Sequence, residues 1–312
     1  KDYRVAQGRY ENDDKYNVLC PDCGSVTLVD DWQSESVCGE CGHGFTPKHG
    51  TVSRGGKYNC PDCGQKYAIT DAIGEQGGYE TRLYGLEYYC TQCEDDGADR
   101  SQYKGYKAAE QADIDRFETA REEWEQREDL HEYAPSESVP EGHIPSERNP
   151  IFDHGYEDWE DMFTARQLLS LATVLKSIDE QASTQNVKEF LLTAFSDSLM
   201  FNSTFSIYNL NANKIEGTFR MNSFVPQTDF VENNVWGTRA GRGTFSNTVE
   251  KIFSAIEYAS APTERYIEDG ETAPRSQSVG IDLEEQTKTV VAAYPDSDKA
   301  AQTGERFSVD DG

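Results

Sequence analysis

Four Cys-x-x-Cys pairs near the N-terminus constrain the fold of this chain more than any other feature. All eight cysteines lie within the first 93 residues, as Cys20/Cys23, Cys38/Cys41, Cys60/Cys63 and Cys90/Cys93. A Cys-x-x-Cys turn lets two thiolates face one ion, and two such turns complete a tetrahedral zinc site with sulfurs at about 2.3 Å. The spacing therefore predicts two structural zinc ions held by eight cysteine sulfurs.

Sequential pairing of these turns is the favoured arrangement. Alternating apolar residues at Val26–Val29 and at 84–89 predict strands between the two turns of each site. Glycine follows the second cysteine in three pairs, where a tight turn benefits from a residue that tolerates positive φ. We expect His43 and His49 to be exposed loop residues, because each site already has four sulfurs. Disulfides and redox pairs are less favoured, since the N-terminal residues show no secretion signal and a redox site needs only one pair.

The charge of the chain is strongly acidic, with 57 Asp and Glu against 29 Lys and Arg and a formal net charge of -28. Acidic residues dominate most of the chain, whereas acidic and basic residues nearly balance over 162–261. A diffuse acidic surface is typical of proteins that stay soluble in concentrated salt, although an ordinary acidic cytosolic protein has the same composition. DNA binding by such a chain requires a local face where acid is scarce, which favours 162–261.

No apolar run approaches the roughly 18 residues that a membrane span needs. We therefore expect a cytoplasmic protein with no membrane partner. The sequence also contains no GxxxxGKS/T phosphate loop and no GxSxG nucleophile elbow. The five histidines are scattered and the cysteines are assigned to zinc, so no catalytic residue is predicted in this chain.

Helical periodicity begins after the cysteines. Residues 108–132 predict a charged helix whose narrow apolar seam is formed by Ile114, Phe117, Ala120 and Trp124. Four prolines within 134–155 predict a linker or an extended surface arm. Three amphipathic helices then follow, of which the first starts at a Thr164/Gln167 capping box. The second and third are predicted at about 187–201 and from Asn247 onward, with inward faces that include Phe190, Phe253 and Ile256.

These patterns together predict an α+β fold of four regions. Two β-rich zinc ribbons occupy 1–100, and an acidic helix and proline-rich linker occupy 101–156. A small, mainly helical domain with a loop- and strand-rich insertion at 202–245 occupies 157–261. The last region, 262–312, is predicted to be an acidic and partly irregular tail.

The start of the helical region resembles a known family. Residues 159–169, WEDMFTARQLL, look like the LFTPRQLL segment of the adenine-specific DNA methylases that contain a zinc ribbon. The order of later features is similar too, with TFR at 218–220, FVP at 224–226 and DFVEN at 229–233. The Cys-x-x-Cys pairs upstream of this block also match the family, so the resemblance covers roughly 18–260.

This resemblance implies transfer of a methyl group from S-adenosylmethionine to a base nitrogen, in restriction–modification or phage defence. The family's DPFxGxG-like cofactor turn and DPPY-like catalytic turn are absent from this sequence. The chain looks like the central insertion between those two turns, where target recognition usually resides. We therefore expect that it neither binds S-adenosylmethionine nor methylates DNA unless flanking sequence or a partner subunit supplies both turns.

Candidate DNA contacts lie in the acid-poor, loop-rich stretch. Arginine grips phosphate or pairs with guanine, asparagine pairs with adenine, and aromatic rings stack on an extruded base. The candidates are Arg220, Arg239, Arg242, Asn233, Asn234, Phe224 and Trp236, with Trp236 also a candidate core residue. A rival basic surface between the two zinc sites contains Arg54 and Lys57, together with Lys48 and Lys66.

Two further functions fit the same sequence. One is a non-enzymatic zinc-ribbon adaptor that binds DNA or RNA in transcription or replication. The other is a purely structural assembly module that uses its ribbons for protein contacts. Under the methylase hypothesis the partners are DNA and either a catalytic methyltransferase subunit or other defence-system proteins.

Overall fold

A computed structural model describes residues 6–10, 13–49, 52–53, 56–60, 63–76, 81–148, 151–209, 211–221, 224–227, 230–238, 241–260, 263–268, 271–278, 281–282, 287–290 and 307–308. These residues form an α+β fold of small antiparallel sheets and short to medium helices. Two compact units divide the chain, Lys1–Thr248 and Val249–Gly312. Within the described ranges, no helix combines the length and the apolar character that crossing a bilayer demands.

The N-terminal sheet has three antiparallel strands in chain order: β1 (Ala6–Tyr10), β2 (Asp13–Leu19) and β3 (Val26–Val29). Leu19 pairs with Val26, so the turn between β2 and β3 is held at the end of the sheet. A two-stranded hairpin of β4 (Ser36–Val37) and β5 (Gly44–Phe45) follows. The predicted strand at Val26–Val29 is confirmed, and each Cys-x-x-Cys turn of the first site closes a hairpin.

The second half of the cysteine region is a mixture of strands and short helices. A 3-10 turn at Pro47–His49 leads to a three-stranded sheet of β6 (Val52–Ser53), β7 (Lys57–Asn59) and β8 (Lys66–Ala68). There follow α1 (Ile69–Gln76), β9 (Gly85–Tyr89), α2 (Thr91–Asp95), α3 (Arg100–Tyr103) and β10 (Lys104–Ala108). β9 and β10 pair antiparallel, which confirms the strand predicted at 84–89.

The predicted charged helix is present and is interrupted once. It consists of α4 (Gln111–Gln126) and α5 (Glu128–His131), with the break at Arg127. The four seam residues are partly buried, as predicted from their spacing. One acidic residue of the helix, Asp113, is buried, and its carboxylate accepts the backbone N–H of Glu110 at 3.1 Å and pairs with Lys107 at 2.7 Å.

The proline-rich segment contributes to the core. Val139 and Ile151 are buried in one cluster with Tyr156, Met162 and Phe205. The Val139 N–H donates to the Glu157 carbonyl at 2.8 Å, and the neighbouring backbone bridges back to Asp158. A π-helical turn at His143–Arg148 and 3-10 turns at Phe152–His154 and Trp159–Met162 complete the segment. The interpretation as a surface arm is therefore wrong at Val139 and Ile151. The prolines suggested an extended surface segment, but these two apolar residues are buried.

Two of the three predicted helices are α6 (Ala165–Gln181) and α7 (Gln185–Leu199). The capping box at the start of α6 is confirmed: the Gln167 N–H donates to Thr164 Oγ1 at 3.3 Å, and Gln167 Oε1 accepts the Thr164 N–H at 3.0 Å. Helix α6 packs against α4, α5 and α7 through buried residues that include Leu168, Leu171 and Ile178.

The insertion between α7 and the third helix has strands and loops, as predicted. A hairpin of β11 (Ile207–Asn209) and β12 (Lys214–Glu216) is followed by a 3-10 turn at Thr218–Met221. The third helix, α8 (Phe245–Ser260), begins before Asn247, the residue predicted to cap it. Three residues predicted to face inward are exposed, namely Phe190 at 51%, Phe253 at 57% and Ile256 at 44%. Helical periodicity identified these apolar faces, but it does not determine whether another element covers them.

The C-terminal unit contains strands in the region predicted to be an acidic, partly irregular tail. β13 (Thr263–Glu268) pairs antiparallel with β14 (Glu271–Ser278). β15 (Ile281–Asp282), β16 (Thr287–Val290) and β17 (Phe307–Ser308) form a small sheet. The tail was predicted to be only partly irregular, and at these positions strand pairing forms despite an acidic, polar composition.

Candidate metal centre and nucleic-acid interface

The first four cysteines converge on one point in space. Cys20 Sγ lies 3.6 Å from Cys41 Sγ, and Cys23 Sγ lies 3.7 Å from Cys38 Sγ. All four sulfurs lie within 4.8 Å of one another. In a tetrahedron with zinc–sulfur bonds of about 2.3 Å, the sulfurs would be separated by about 3.8 Å. The quartet therefore fits a zinc ion, and sequential pairing is confirmed for this site.

Each turn of the quartet is shaped by the same backbone hydrogen bonds. The Cys20 N–H donates to the Ser25 carbonyl at 2.9 Å, and the Gly24 N–H donates to the Cys20 carbonyl at 3.0 Å. Gly42 makes the equivalent 3.0 Å bond to Cys38. Gly24 and Gly42 both have a φ of +73°, a conformation that a side chain would strain. The glycine after each second cysteine is thus what allows the turn to close.

The thiols of the quartet have opposing tendencies to ionise. The Cys41 backbone N–H and the Ser25 hydroxyl lower the pKa of Cys38 to about 5. The His43 backbone N–H stabilises the thiolate of Cys41, but burial and the neighbouring thiols raise its pKa to about 12. Four thiolates so close together repel one another, and a divalent cation removes that repulsion. The donor set therefore suits a cation with a strong preference for sulfur.

A zinc ion held here would have a structural role. Four sulfurs complete its tetrahedral coordination, which leaves no position for a reacting water or substrate. Cys20 and Cys38 are buried, while Cys23 and Cys41 lie at the surface. His43 and His49 are exposed, as predicted, and the His43 ring stacks near Phe45 with centroids 6.3 Å apart. Ligation would tie the β2–β3 sheet to the β4–β5 hairpin.

In the second quartet, the Cys60/Cys63 turn has the geometry of a zinc site, but the four sulfurs are not brought together. The Cys60 turn repeats the zinc-site geometry, since Cys60 N–H donates to the Gln65 carbonyl at 2.8 Å and Gly64 has a φ of +70°. Across the described residues, which include all eight cysteines, only the first quartet gathers three or more His, Cys, Asp or Glu ligand atoms within 4.8 Å. The second zinc site, predicted from Cys60, Cys63, Cys90 and Cys93, is not assembled in this structure and stays a prediction.

The fourth Cys-x-x-Cys pair differs from the other three. Cys90 precedes α2, and its sulfur accepts the Cys93 N–H at 3.4 Å. The Cys90 N–H donates to the Tyr103 carbonyl at 2.7 Å, so this turn is fixed against α3. Glu94 stands where the other pairs have glycine, and this substitution is the sequence signal for the helical geometry.

Asn233 and Asn234, the asparagines predicted to contact adenine, form hydrogen bonds with the backbone of their own loop. Asn233 Nδ2 donates to the Arg242 carbonyl at 2.8 Å and to the Gly243 carbonyl at 3.3 Å. Asn234 Oδ1 accepts the Gly237 N–H at 2.9 Å. These groups brace residues 230–238 and 241–244, which we call the braced loop. The structure therefore gives both side chains a role in loop geometry, where the sequence indicated adenine contacts.

Trp236 is presented at the surface of the braced loop. Its side chain is 62% exposed, so the interpretation as a core residue is wrong. The backbone around it is fixed, because Ser246 N–H donates to the Trp236 carbonyl at 2.9 Å and Phe245 N–H donates to the Val235 carbonyl at 2.8 Å. The other aromatic candidate, Phe224, is partly buried against the core cluster and lies 5.4 Å from Phe205 between ring centroids.

The basic candidates have separate surroundings. Arg220 is partly buried, and its Nη1 lies 3.4 Å from the Phe205 carbonyl oxygen. The exposed Arg242 guanidinium lies 5.2 Å from the centroid of the Phe201 ring. Lys57 is exposed on β7. Arg239 and Arg54 lie outside the described residues.

Comparison of the chain with protein-family models, with curated proteins and with solved structures gives no match. The cysteine quartet and the braced loop are therefore interpreted from their own residues and geometry. Of these two features, the quartet has the chemistry of a structural metal site, and the braced loop exposes one aromatic ring, Trp236, and one described basic side chain, Arg242.

Proposed function

We propose that this chain is the zinc-ribbon and target-recognition portion of an S-adenosylmethionine-dependent DNA amino-methyltransferase of the adenine-specific type. It would work in the cytoplasm, in restriction–modification or phage defence. The observation that carries the proposal is the exposure of Trp236 on the braced loop, in the part of the chain where acidic and basic residues nearly balance. The resemblance of residues 159–169 to the methylase family supplies the reaction.

The position of Trp236 favours a ligand with a flat aromatic face. Full burial of a large apolar side chain contributes about 1.5–3 kcal/mol. The Trp236 ring forgoes much of that because it is 62% exposed and packs against Phe245, 5.8 Å away between centroids. A ring on a loop with a fixed backbone stacks on a base at little entropic cost. Such stacking tolerates every base, because every base has a π-face. Arg242, exposed on the same loop, adds a cation for a phosphate group.

Two stretches that resemble the family meet in space. Arg166, from the WEDMFTARQLL block, donates from Nε to Glu232 Oε2 at 2.5 Å. Glu232 belongs to the DFVEN stretch, and its side chain is only 10% exposed. This ion pair joins residues 159–169 to residues 229–233, the two stretches that resemble the family. The contact supports the interpretation that both belong to one recognition surface.

The proposed reaction is methylation of an exocyclic base nitrogen after the base leaves the duplex. S-adenosylmethionine, bound by flanking sequence or a partner subunit, supplies the electrophilic methyl group. The residues of this chain bind the duplex, hold the extruded base or the gap that it leaves, and position the zinc-bound ribbons. The catalytic DPPY-like turn would also come from flanking sequence or the partner.

The test is duplex binding by the zinc-loaded chain, measured by fluorescence anisotropy at fixed salt. Trp236→Ala should weaken binding by about fivefold or more, because stacking contributes about 1–3 kcal/mol per base. Trp236→Tyr should keep most of the affinity, and Phe253→Ala is the matched control, since that ring is exposed on α8. Equal affinities for the wild type and Trp236→Ala would refute the proposed role of the loop.

The methylase assignment has its own test, which is separate from binding. The DNA that encodes this chain should carry an in-frame DPFxGxG-like turn upstream and a DPPY-like turn downstream, or a neighbouring gene with both. If duplex binding depends on Trp236 but neither turn is encoded nearby, the zinc-ribbon adaptor becomes the better assignment.

A further inference from the structure

A polar cleft separates the β9–β10 hairpin from the β11–β12 hairpin. Its volume is about 390 Å³, and it is lined by Arg100, Lys104, Gly105, Tyr106, Ala212 and Asn213. Two of these described lining residues are basic and none is acidic, in a chain with 57 acidic and 29 basic residues. We propose that this cleft binds a phosphate group, of a free nucleotide or of a DNA strand.

One wall of the cleft is strand β10, and an ion pair fixes the position of the Lys104 ammonium on it. Lys104 and Tyr106 are two residues apart on β10 and so share one face of the hairpin. Glu87 lies opposite Tyr106 in the register, and its carboxylate lies 2.9 Å from the Lys104 ammonium. This ion pair orients the ammonium group, which still has N–H donors for a second anion.

The other wall is the turn of the β11–β12 hairpin. Asn213 there has a φ of +46°, and the Ala212 N–H donates to Asn209 Oδ1 at 3.1 Å. The two hairpins are joined by Tyr106 and Tyr208, whose hydroxyl oxygens lie 2.6 Å apart and whose rings cross edge-on at 82°. The distance between the walls is therefore set before any ligand enters.

The chemistry of the lining suits an anion such as phosphate. Arg100 is exposed at the start of α3, and a guanidinium group binds two phosphate oxygens with parallel N–H bonds. The Lys104 ammonium adds a point charge, and pockets of roughly 300–1,000 Å³ hold ligands of nucleotide size. The inference does not rest on the proposed function, because a free nucleotide fits this chemistry as well as a DNA strand does.

The experiment titrates the zinc-loaded full chain with inorganic phosphate, adenosine 5′-monophosphate and a short DNA duplex, by calorimetry at fixed salt. Saturable binding of the mononucleotide identifies a nucleotide site, and binding of the duplex alone identifies a backbone-phosphate contact. Either result supports the cleft only if the variants below reduce it. No saturable binding of any of the three probes would overturn the proposal.

Two pairs of variants separate the cleft from the overall charge of the chain. Arg100→Gln with Lys104→Gln should weaken binding by about tenfold or more, since charge-assisted hydrogen bonds are lost. Arg116→Gln with Arg121→Gln removes the same charge from the exposed face of α4 and should change affinity less than about twofold. Equal losses in both double variants would overturn the proposal.

The second pair leaves every existing lining charge in place. Ala212→Glu puts a carboxylate into the cleft, whereas Ala212→Gln adds a neutral side chain of the same size. Binding should weaken strongly in the first and little in the second, and equal effects would mean that bulk alone matters. A loss of duplex binding in Trp236→Ala without these effects would support the braced loop and exclude the cleft.

Discussion

The hydroxyl groups of Tyr106 and Tyr208 share a 2.6 Å hydrogen bond that joins the last cysteine-region hairpin to the insertion before α8. Burial, followed by the bond with Tyr106, raises the pKa of Tyr208 above its usual range. The two residues are 102 positions apart, so the bond links segments that sequence proximity does not.

Removal of this bond should lower stability in a way that depends on pH. Because the pKa of Tyr208 is higher in the folded state, the neutral hydroxyl stabilises the fold fully below the unfolded pKa of about 10. That stabilisation is lost as the pH rises above this value. Tyr208→Phe should therefore reduce Tm at neutral pH and show a shallower loss of Tm between about pH 9 and 11. Thermal unfolding followed by circular dichroism measures both effects. Parallel pH profiles in variant and wild type would contradict this assignment.

Zinc content should respond separately to the two quartets. We expect two zinc ions per purified chain, with Cys20→Ser and Cys60→Ser each losing one and keeping the other. Metal analysis by plasma mass spectrometry counts the ions. A chelator should also unfold the ribbons, because ligation energy is folding energy at such sites. An unchanged zinc content in Cys60→Ser would mean that the second quartet binds no metal.

The buried carboxylate of Asp113 should make α4 sensitive to acid. The bond from Lys107, with the Glu110 N–H, holds the pKa of Asp113 below its usual range. Its contribution is present above the unfolded pKa of about 3.9 and is lost as the pH falls through the lower folded value. Asp113→Asn should lower Tm by a few degrees at pH 7, and the difference should shrink below about pH 4. Glu122→Gln, on the exposed face of the same helix, is the control and should change Tm little at either pH.

Near the end of the braced loop, Gly243 should be required for stability, whereas Gly241 should tolerate alanine. Gly243 has a φ of +68°, and a Cβ there would overlap the Phe201 ring, so Gly243→Ala should cost about 2 kcal/mol or more. A Cβ at Gly241 meets nothing nearer than 3.4 Å, so Gly241→Ala should be close to neutral. Urea unfolding of both variants tests the contrast, and equal losses would mean that loop geometry does not decide the effect.

The two basic surfaces should differ in their importance for DNA. Arg239→Ala with Arg242→Ala should weaken duplex binding and reduce its salt dependence, because fewer counterions are released. Arg54→Ala with Lys57→Ala should have a smaller effect at unchanged zinc content. The reverse ranking would assign the DNA contact to the ribbons.

The sequence predicted elements well where a local signal was complete. The capping box at Thr164, the strand at Val26–Val29 and the first cysteine quartet all follow from spacing, and all three are confirmed. The predicted zinc role of Cys90 and Cys93 is not confirmed, because 26 intervening residues and a helical turn leave their position to tertiary contacts.

Tertiary context decides the remaining cases. Phe190 has the same helical spacing as a core residue, yet no periodicity shows whether a neighbour covers it. Asn233 has the edge chemistry that reads adenine, and the same amide is equally able to bond the carbonyl of Arg242. The Tyr106 and Arg100 cleft had no motif at all, since its walls come from segments about a hundred residues apart.

The burial of Val139 and Ile151 has a practical meaning for anyone who wishes to divide this protein. A truncation between these two residues, within the segment that composition would recommend, would separate Val139 from Ile151, Tyr156, Met162 and Phe205. Fragments cut there should be insoluble or prone to proteolysis, and insertions between these residues should be tolerated poorly. The segment from Val139 to Phe205 should therefore be kept within one polypeptide.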